Sequence, residues 1–77
     1  MENRIRNILG EVKADILRYS GTQMLEDKII DSFDVMEIVA ALEDEFGIEI
    51  DPELISAENF ATVKTIIEMV QASLKEG

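Results

Sequence analysis

The chain has 77 residues, 47% of them hydrophobic, and a formal net charge of −10. That length allows one small domain, residues 1–77, burying about 60 to 65% of the surface its unfolded chain would expose. There is no Cys and no His, which excludes disulfides, thiolate metal sites and catalysis by the commonest general base.

In chain order, the first predicted helix carries Ile5, Ile8, Leu9, Val12 and Ile16. This i, i+3, i+4, i+7, i+11 spacing lays one apolar stripe toward a core. Gly10 falls inside that helix and costs about 1 kcal/mol relative to Ala, with no function to explain it. Gly21, beyond the end, is expected to stop the helix in a left-handed conformation. Residues 21–30 form a long connection, which Met24, Leu25, Ile29 and Ile30 are expected to tie to the core. A second stripe, Val35, Ile38, Val39, Leu42 and Phe46, predicts the second helix. Asp31 or Ser32 is its cap, Asp34 stands where a capping box needs its partner, and Gly47 closes it. Asp51-Pro52 opens a turn or short helix. Leu54, Ile55 and Phe60 then need burial, so one or two helical turns are expected within 52–60. The last helix starts behind Thr62 as cap and carries Val63, Ile66, Ile67, Val70 and Leu74. No strand alternation appears. The predicted fold is all-α: a small antiparallel bundle of three main helices and one short helix, with a long loop after the first.

The charges are unevenly placed. Residues 1–20 hold four basic and three acidic side chains, whereas residues 21–77 hold three basic and fourteen acidic. From Asp31 to Lys64 ten carboxylates pass without a Lys or Arg between them. Such a surface repels nucleic-acid phosphates and anionic lipid, and attracts basic protein patches. A plainer alternative is that it only keeps the protein soluble. The longest apolar run, Ile38 to Leu42, is too short to cross a bilayer. The charged start Met-Glu-Asn-Arg-Ile-Arg has no apolar signal core behind it. A cytoplasmic monomer is expected, with no nucleic-acid or membrane partner.

Ser32 is the one candidate for chemistry. A serine attacks efficiently only beside a base and an oxyanion site. Here the nearest basic residue in sequence is Lys28, and no Gly-x-Ser-x-Gly elbow surrounds Ser32. The chain is therefore not expected to be an enzyme. Ser32 could simply cap a helix, as serines commonly do. Alternatively, the N–H groups and dipole at a helix start favour a phosphate ester there. The acids lack the spacing of a calcium loop, and no metal site is expected.

The run Ile30-Asp31-Ser32-Phe33-Asp34-Val35-Met36-Glu37-Ile38, followed by Ala41-Leu42-Glu43-Asp44-Glu45-Phe46-Gly47-Ile48-Glu49-Ile50, resembles the acyl carrier proteins. Their hallmark is Asp-Ser-Leu at the start of the second helix, then an acidic helix ending near Glu-Phe. The resemblance spans the whole chain. It implies that Ser32 receives phosphopantetheine from coenzyme A through a separate phosphopantetheinyl transferase, with Asp31 as the neighbouring acid. The arm would hold acyl intermediates as thioesters and present them to acyl-transferring and synthase enzymes of a fatty acid, polyketide or related pathway. Positions matching the family's docking surface for basic patches are Asp34, Met36, Glu37, Ala40, Glu43 and Asp44. Two departures bear on the cargo: Phe33 replaces the usual Leu, as in carriers of amino acids such as D-alanine, and Ala40 replaces a larger apolar residue. An aminoacyl carrier is thus one alternative, and an unmodified acidic helical adaptor for a basic partner is another.

Overall fold

Three apolar stripes become inward faces of the helices, the first of them divided between two. The computed structural model describes residues 2–76. Its elements are α1 (Glu2–Val12), α2 (Asp15–Arg18), α3 (Ser32–Phe46), a 3₁₀ turn (Pro52–Leu54) and α4 (Val63–Glu76). Ile5, Leu9 and Ile16, then Val35, Ile38, Val39 and Leu42, then Ile66, Ile67 and Val70 are buried together. Each such side chain contributes about 1.5–3 kcal/mol on leaving water. The all-α bundle expected from periodicity is what forms, with no strand among the described residues. Its radius of gyration of 11.2 Å sits close to the ~11.5 Å expected for a compact chain of this length.

Two ion pairs span the antiparallel pairing of α1 and α3. Arg4 at the start of α1 pairs with Glu45 at the end of α3 and lies over the Phe46 ring, 4.9 Å from its centre. Lys13, just past α1, pairs with Asp34 in the first turn of α3 at 3.4 Å.

The first predicted helix differs from expectation. It breaks at Lys13–Ala14, and a separate turn, α2, carries Ile16 into the core. The break consists of tighter i→i+3 bonds, Ile16 N–H to Lys13 O and Leu17 N–H to Ala14 O, both 3.1 Å. Gly10 acquires its reason here. A Cβ on Gly10 would lie 2.9 Å from a Leu17 methyl, so the missing side chain lets α2 fold back against α1. Gly21 is not a left-handed terminator; α2 ends at Tyr19 in an extended conformation, and Gly21 lies where a Cβ would collide with the Tyr19 hydroxyl.

The long connection after α2 is irregular but anchored. Met24 and Ile30 are buried, while Leu25 and Ile29 pack against the core from its edge. The Met24 N–H donates to Ala61 O at 3.0 Å, stitching the loop to the segment before α4. The Tyr19 hydroxyl donates to Asp27 at 2.5 Å and accepts from the Gln23 N–H at 2.7 Å. Lys28 takes a positive φ of 61° to close this turn.

The remaining punctuation follows the sequence. Gly47 ends α3 at φ 63°, a conformation that costs little only without a Cβ. Asp51 accepts from the Glu53 N–H and starts the 3₁₀ turn. Thr62 caps α4 by accepting from the Thr65 N–H at 3.1 Å, and Thr65 reciprocates. Phe60 is fully buried, whereas Leu54 and Ile55 are only half-buried. The inward face of α4 is wider than its stripe, since Met69 and Ser73 are buried too.

Candidate functional site

Asp31, Ser32 and Asp34 sit at the start of α3, and their local chemistry divides the labour. Asp31 is the N-cap; its carboxylate accepts from the Asp34 N–H at 2.9 Å. The Asp34 carboxylate accepts from the Asp31 N–H at 3.2 Å, completing a capping box between two aspartates. Such a cap contributes about 1 kcal/mol. Ser32 is the first helical residue, and its side chain is exposed. Its hydroxyl joins none of the hydrogen bonds that hold the turn.

Comparison with the other serines singles Ser32 out. Ser73 is buried and donates to Met69 O. Ser56 is half-buried and accepts from the Asn59 N–H. Ser20 is exposed but follows a helix instead of starting one. Only Ser32 combines a free hydroxyl with the first-turn N–H groups and positive dipole end of a long helix. The Lys13 ammonium, which reaches that turn from the end of α1, is engaged by Asp34. It is placed as a counter-ion to the cap, and Ser32 has no base of its own.

Beside Ser32 opens a cleft of about 240 Å³, between α3 and the segment after the 3₁₀ turn. Leu25, Val35, Met36, Ile55 and Ala57 make it apolar, and the Ser32 and Ser56 hydroxyls are its polar groups.

The six expected docking residues separate in space. Met36, Glu37, Ala40 and Asp44 are exposed along one flank of α3. Asp34 is instead turned into the capping box and the Lys13 pair. Glu43 is half-buried and accepts from the Ile50 N–H at 2.9 Å, drawing the chain after Gly47 back onto α3. Phe33, treated in the sequence only as a departure, is the most exposed large apolar side chain at 76%, with Met36 at 61% one turn on. The signal for it was available: Phe33 lies opposite the buried stripe on the helical wheel.

Among the described residues, Tyr19 has a displaced pKa. Its phenol is raised above 10.0, first by desolvation and then by the Asp27 carboxylate it donates to, while the Gln23 N–H pulls the other way. Among the described residues, no group of three or more acidic side chains is arranged to hold a metal ion. No described helix is long and apolar enough to cross a membrane.

No solved structure matches the chain. A family model does match: the one described as phosphopantetheine attachment site, over residues 3–70.

Proposed function

We propose, from the premise that this chain belongs to the phosphopantetheine attachment site family, that Ser32 is the residue joined to the arm. The family covalently carries a phosphopantetheine group, and the chain is accordingly a carrier protein of the acyl carrier type. The observation that carries the assignment to Ser32 is its exposed, unengaged hydroxyl at the start of α3.

The site's residues fit such a group. A phosphodiester on Ser32 meets the unpaired N–H groups and the positive end of the α3 dipole. The capping box holds the Asp31 and Asp34 carboxylates on backbone N–H groups, and Lys13 offsets one of those charges. This limits the repulsion a phosphate would meet there. Leu25, Val35, Met36 and Ile55 line an apolar berth next to the attachment point. When bound, the arm supplies a terminal thiol that can hold an acyl group as a thioester.

The cleft supports acyl cargo of a fatty acid, polyketide or related pathway, because it offers a charged amino group no carboxylate partner. Phe33 supports the second reading, an aminoacyl carrier. Loading assays with acyl and amino-acid ligases separate the two: efficient acyl transfer without aminoacyl transfer favours the first. On either reading residues 1–77 act as one domain, a cytoplasmic monomer that presents cargo and catalyses nothing. Phe33, Met36 and Ala40 form the apolar part of the docking flank, and Glu37 and Asp44 form its acidic part. Asp34 and Glu43 hold that flank in shape from within. Partners are the phosphopantetheinyl transferase and acyl-transferring and synthase enzymes with basic patches. The acidic adaptor reading fails if coenzyme A and a broad-specificity transferase raise the intact mass by one phosphopantetheine.

A further inference from the structure

The segment after the 3₁₀ turn is a braced wall, and Ser56 is its fixed point. The Ser56 N–H donates to Leu54 O at 3.0 Å, and the Phe60 N–H donates to Ser56 O at 3.1 Å. The Ser56 hydroxyl oxygen accepts from the Asn59 N–H at 3.3 Å. The Asn59 side-chain amide donates to Leu54 O at 2.7 Å, and the Thr65 hydroxyl reaches Asn59 O at 2.9 Å, which ties the turn to α4. Both backbone polar groups of Ser56 are thus used within the turn. Its hydroxyl oxygen is used as an acceptor only, and among the described residues the hydroxyl donates to nothing. That hydroxyl lines the apolar cleft of about 240 Å³ that Ser32 lines from the α3 side. Water can serve the spare donor while the cleft is open. A ligand that fills the cleft without offering an acceptor would strand it.

We propose that Ser56 is a binding residue for the phosphopantetheine arm, its hydroxyl donating a hydrogen bond to an amide carbonyl of the arm within this cleft. The inference rests on the carrier reading of Ser32 and adds to it a residue on a separate segment. The walls select the occupant. Ser32 lines the cleft, so a group joined to its hydroxyl starts at the cleft's edge. Beyond its phosphate, phosphopantetheine has a carbon bearing two methyl groups and then two amides. Leu25, Val35, Ile55 and Ala57 suit the methyl groups, and Ser56 supplies the polar partner that one carbonyl needs. A bare alkyl chain would suit the same walls but would cover Ser56 without satisfying it. The phosphate is served elsewhere, by the N–H groups in the first turn of α3. Because the turn already holds Ser56 in place, little ordering is left to offset the gain on binding.

The test loads the full chain with phosphopantetheine isotope-labelled at its amide carbonyls and paired methyl groups, and reads the arm by NMR. The variants are Ser56→Ala, Ser56→Asp and Ser56→Thr. Ser56→Asp keeps an acceptor for the Asn59 N–H but has no proton to donate at neutral pH, whereas Ser56→Thr keeps both roles. In wild type, one carbonyl resonance is expected to be displaced from its value in free phosphopantetheine. The arm's methyl groups are expected to show contacts with Val35 and Ile55. Ser56→Ala and Ser56→Asp are expected to lower the ratio of docked to free arm about five-fold, the worth of one hydrogen bond. Ser56→Thr is expected to keep that ratio close to wild type. Thermal melting of the unloaded chains identifies any variant that has not folded, and Ser56→Asp carries the test if Ser56→Ala loses its turn. If either folded variant docks the arm as wild type does, or if the loaded wild type shows both carbonyls at their free values, Ser56 does not hold the arm, while the Ser32 assignment stands. If the wild-type chain is not loaded at all, the carrier reading fails and this proposal fails with it.

Discussion

The two faces of α3 share fifteen residues and do opposite work. Its inward face, Val35, Ile38, Val39 and Leu42, is buried against α1, α4 and the loop after α2. Its outward flank leaves Phe33 and Met36, both large and apolar, in solvent. Apolar burial on the first face stabilises the fold, whereas the same chemistry on the second gains nothing until a partner covers it. Apolar residues on one helix therefore divide by direction into those serving stability and those available for recognition. The polar residues divide as well. Asp31, Asp34 and Glu43 accept from backbone N–H groups, while Glu37 and Asp44 remain at the surface.

The sharpest way to break this comparison is to truncate one residue from each face. Leu42→Ala is expected to cost about 2–5 kcal/mol, through lost transfer energy and a residual cavity. Met36→Ala is expected to stay within about 0.5 kcal/mol of wild type. Urea unfolding followed by circular dichroism measures both. Equal losses would mean that Met36 is a core residue and the outward flank is not a free surface.

Asp31 joins the two faces, because its cap sets where α3 begins and hence where Ser32 points. Asp31→Ala is expected to lose about 1 kcal/mol. It should also slow phosphopantetheine transfer by more than that loss explains under conditions where the variant stays folded. Stability loss with an unchanged transfer rate would reduce the capping box to a purely structural device.

The smallest effect lies away from α3, where Tyr19 latches the loop leading to it. The folded chain holds the phenol proton more tightly than the unfolded chain, whose value is 10.0. The contribution is therefore complete below pH 10 and is lost as pH rises through the higher folded value. In Tyr19→Phe that contribution is absent, so the stability gap between wild type and variant should narrow above pH 10. Melting curves of the pair that stay parallel through that range would contradict the role given to the latch.

Much of this was legible in the sequence where the physics is local. The three stripes, the Asp31–Asp34 box, the Thr62 cap and the left-handed Gly47 all follow from spacing and residue type within a turn or two. What was not legible depends on contacts distant in sequence. The break at Lys13–Ala14 leaves the apolar period intact, and its cause is Leu17 settling over Gly10. Gly21 reads as a terminator until the Tyr19 ring is seen above it. Asp34 and Glu43 look like docking acids by position, yet Lys13 and the Ile50 N–H engage them.

The central claim is that Ser32 alone accepts the arm, and site-resolved mass spectrometry tests it most directly. Wild type, Ser32→Ala and Ser20→Ala are each incubated with coenzyme A and a broad-specificity transferase, then weighed intact and mapped by peptide. Wild type and Ser20→Ala are expected to gain one phosphopantetheine, on the peptide containing Ser32. Ser32→Ala is expected to gain none while melting at a temperature close to wild type. Modification of Ser32→Ala, or a wild-type chain that never gains the mass, would contradict the account.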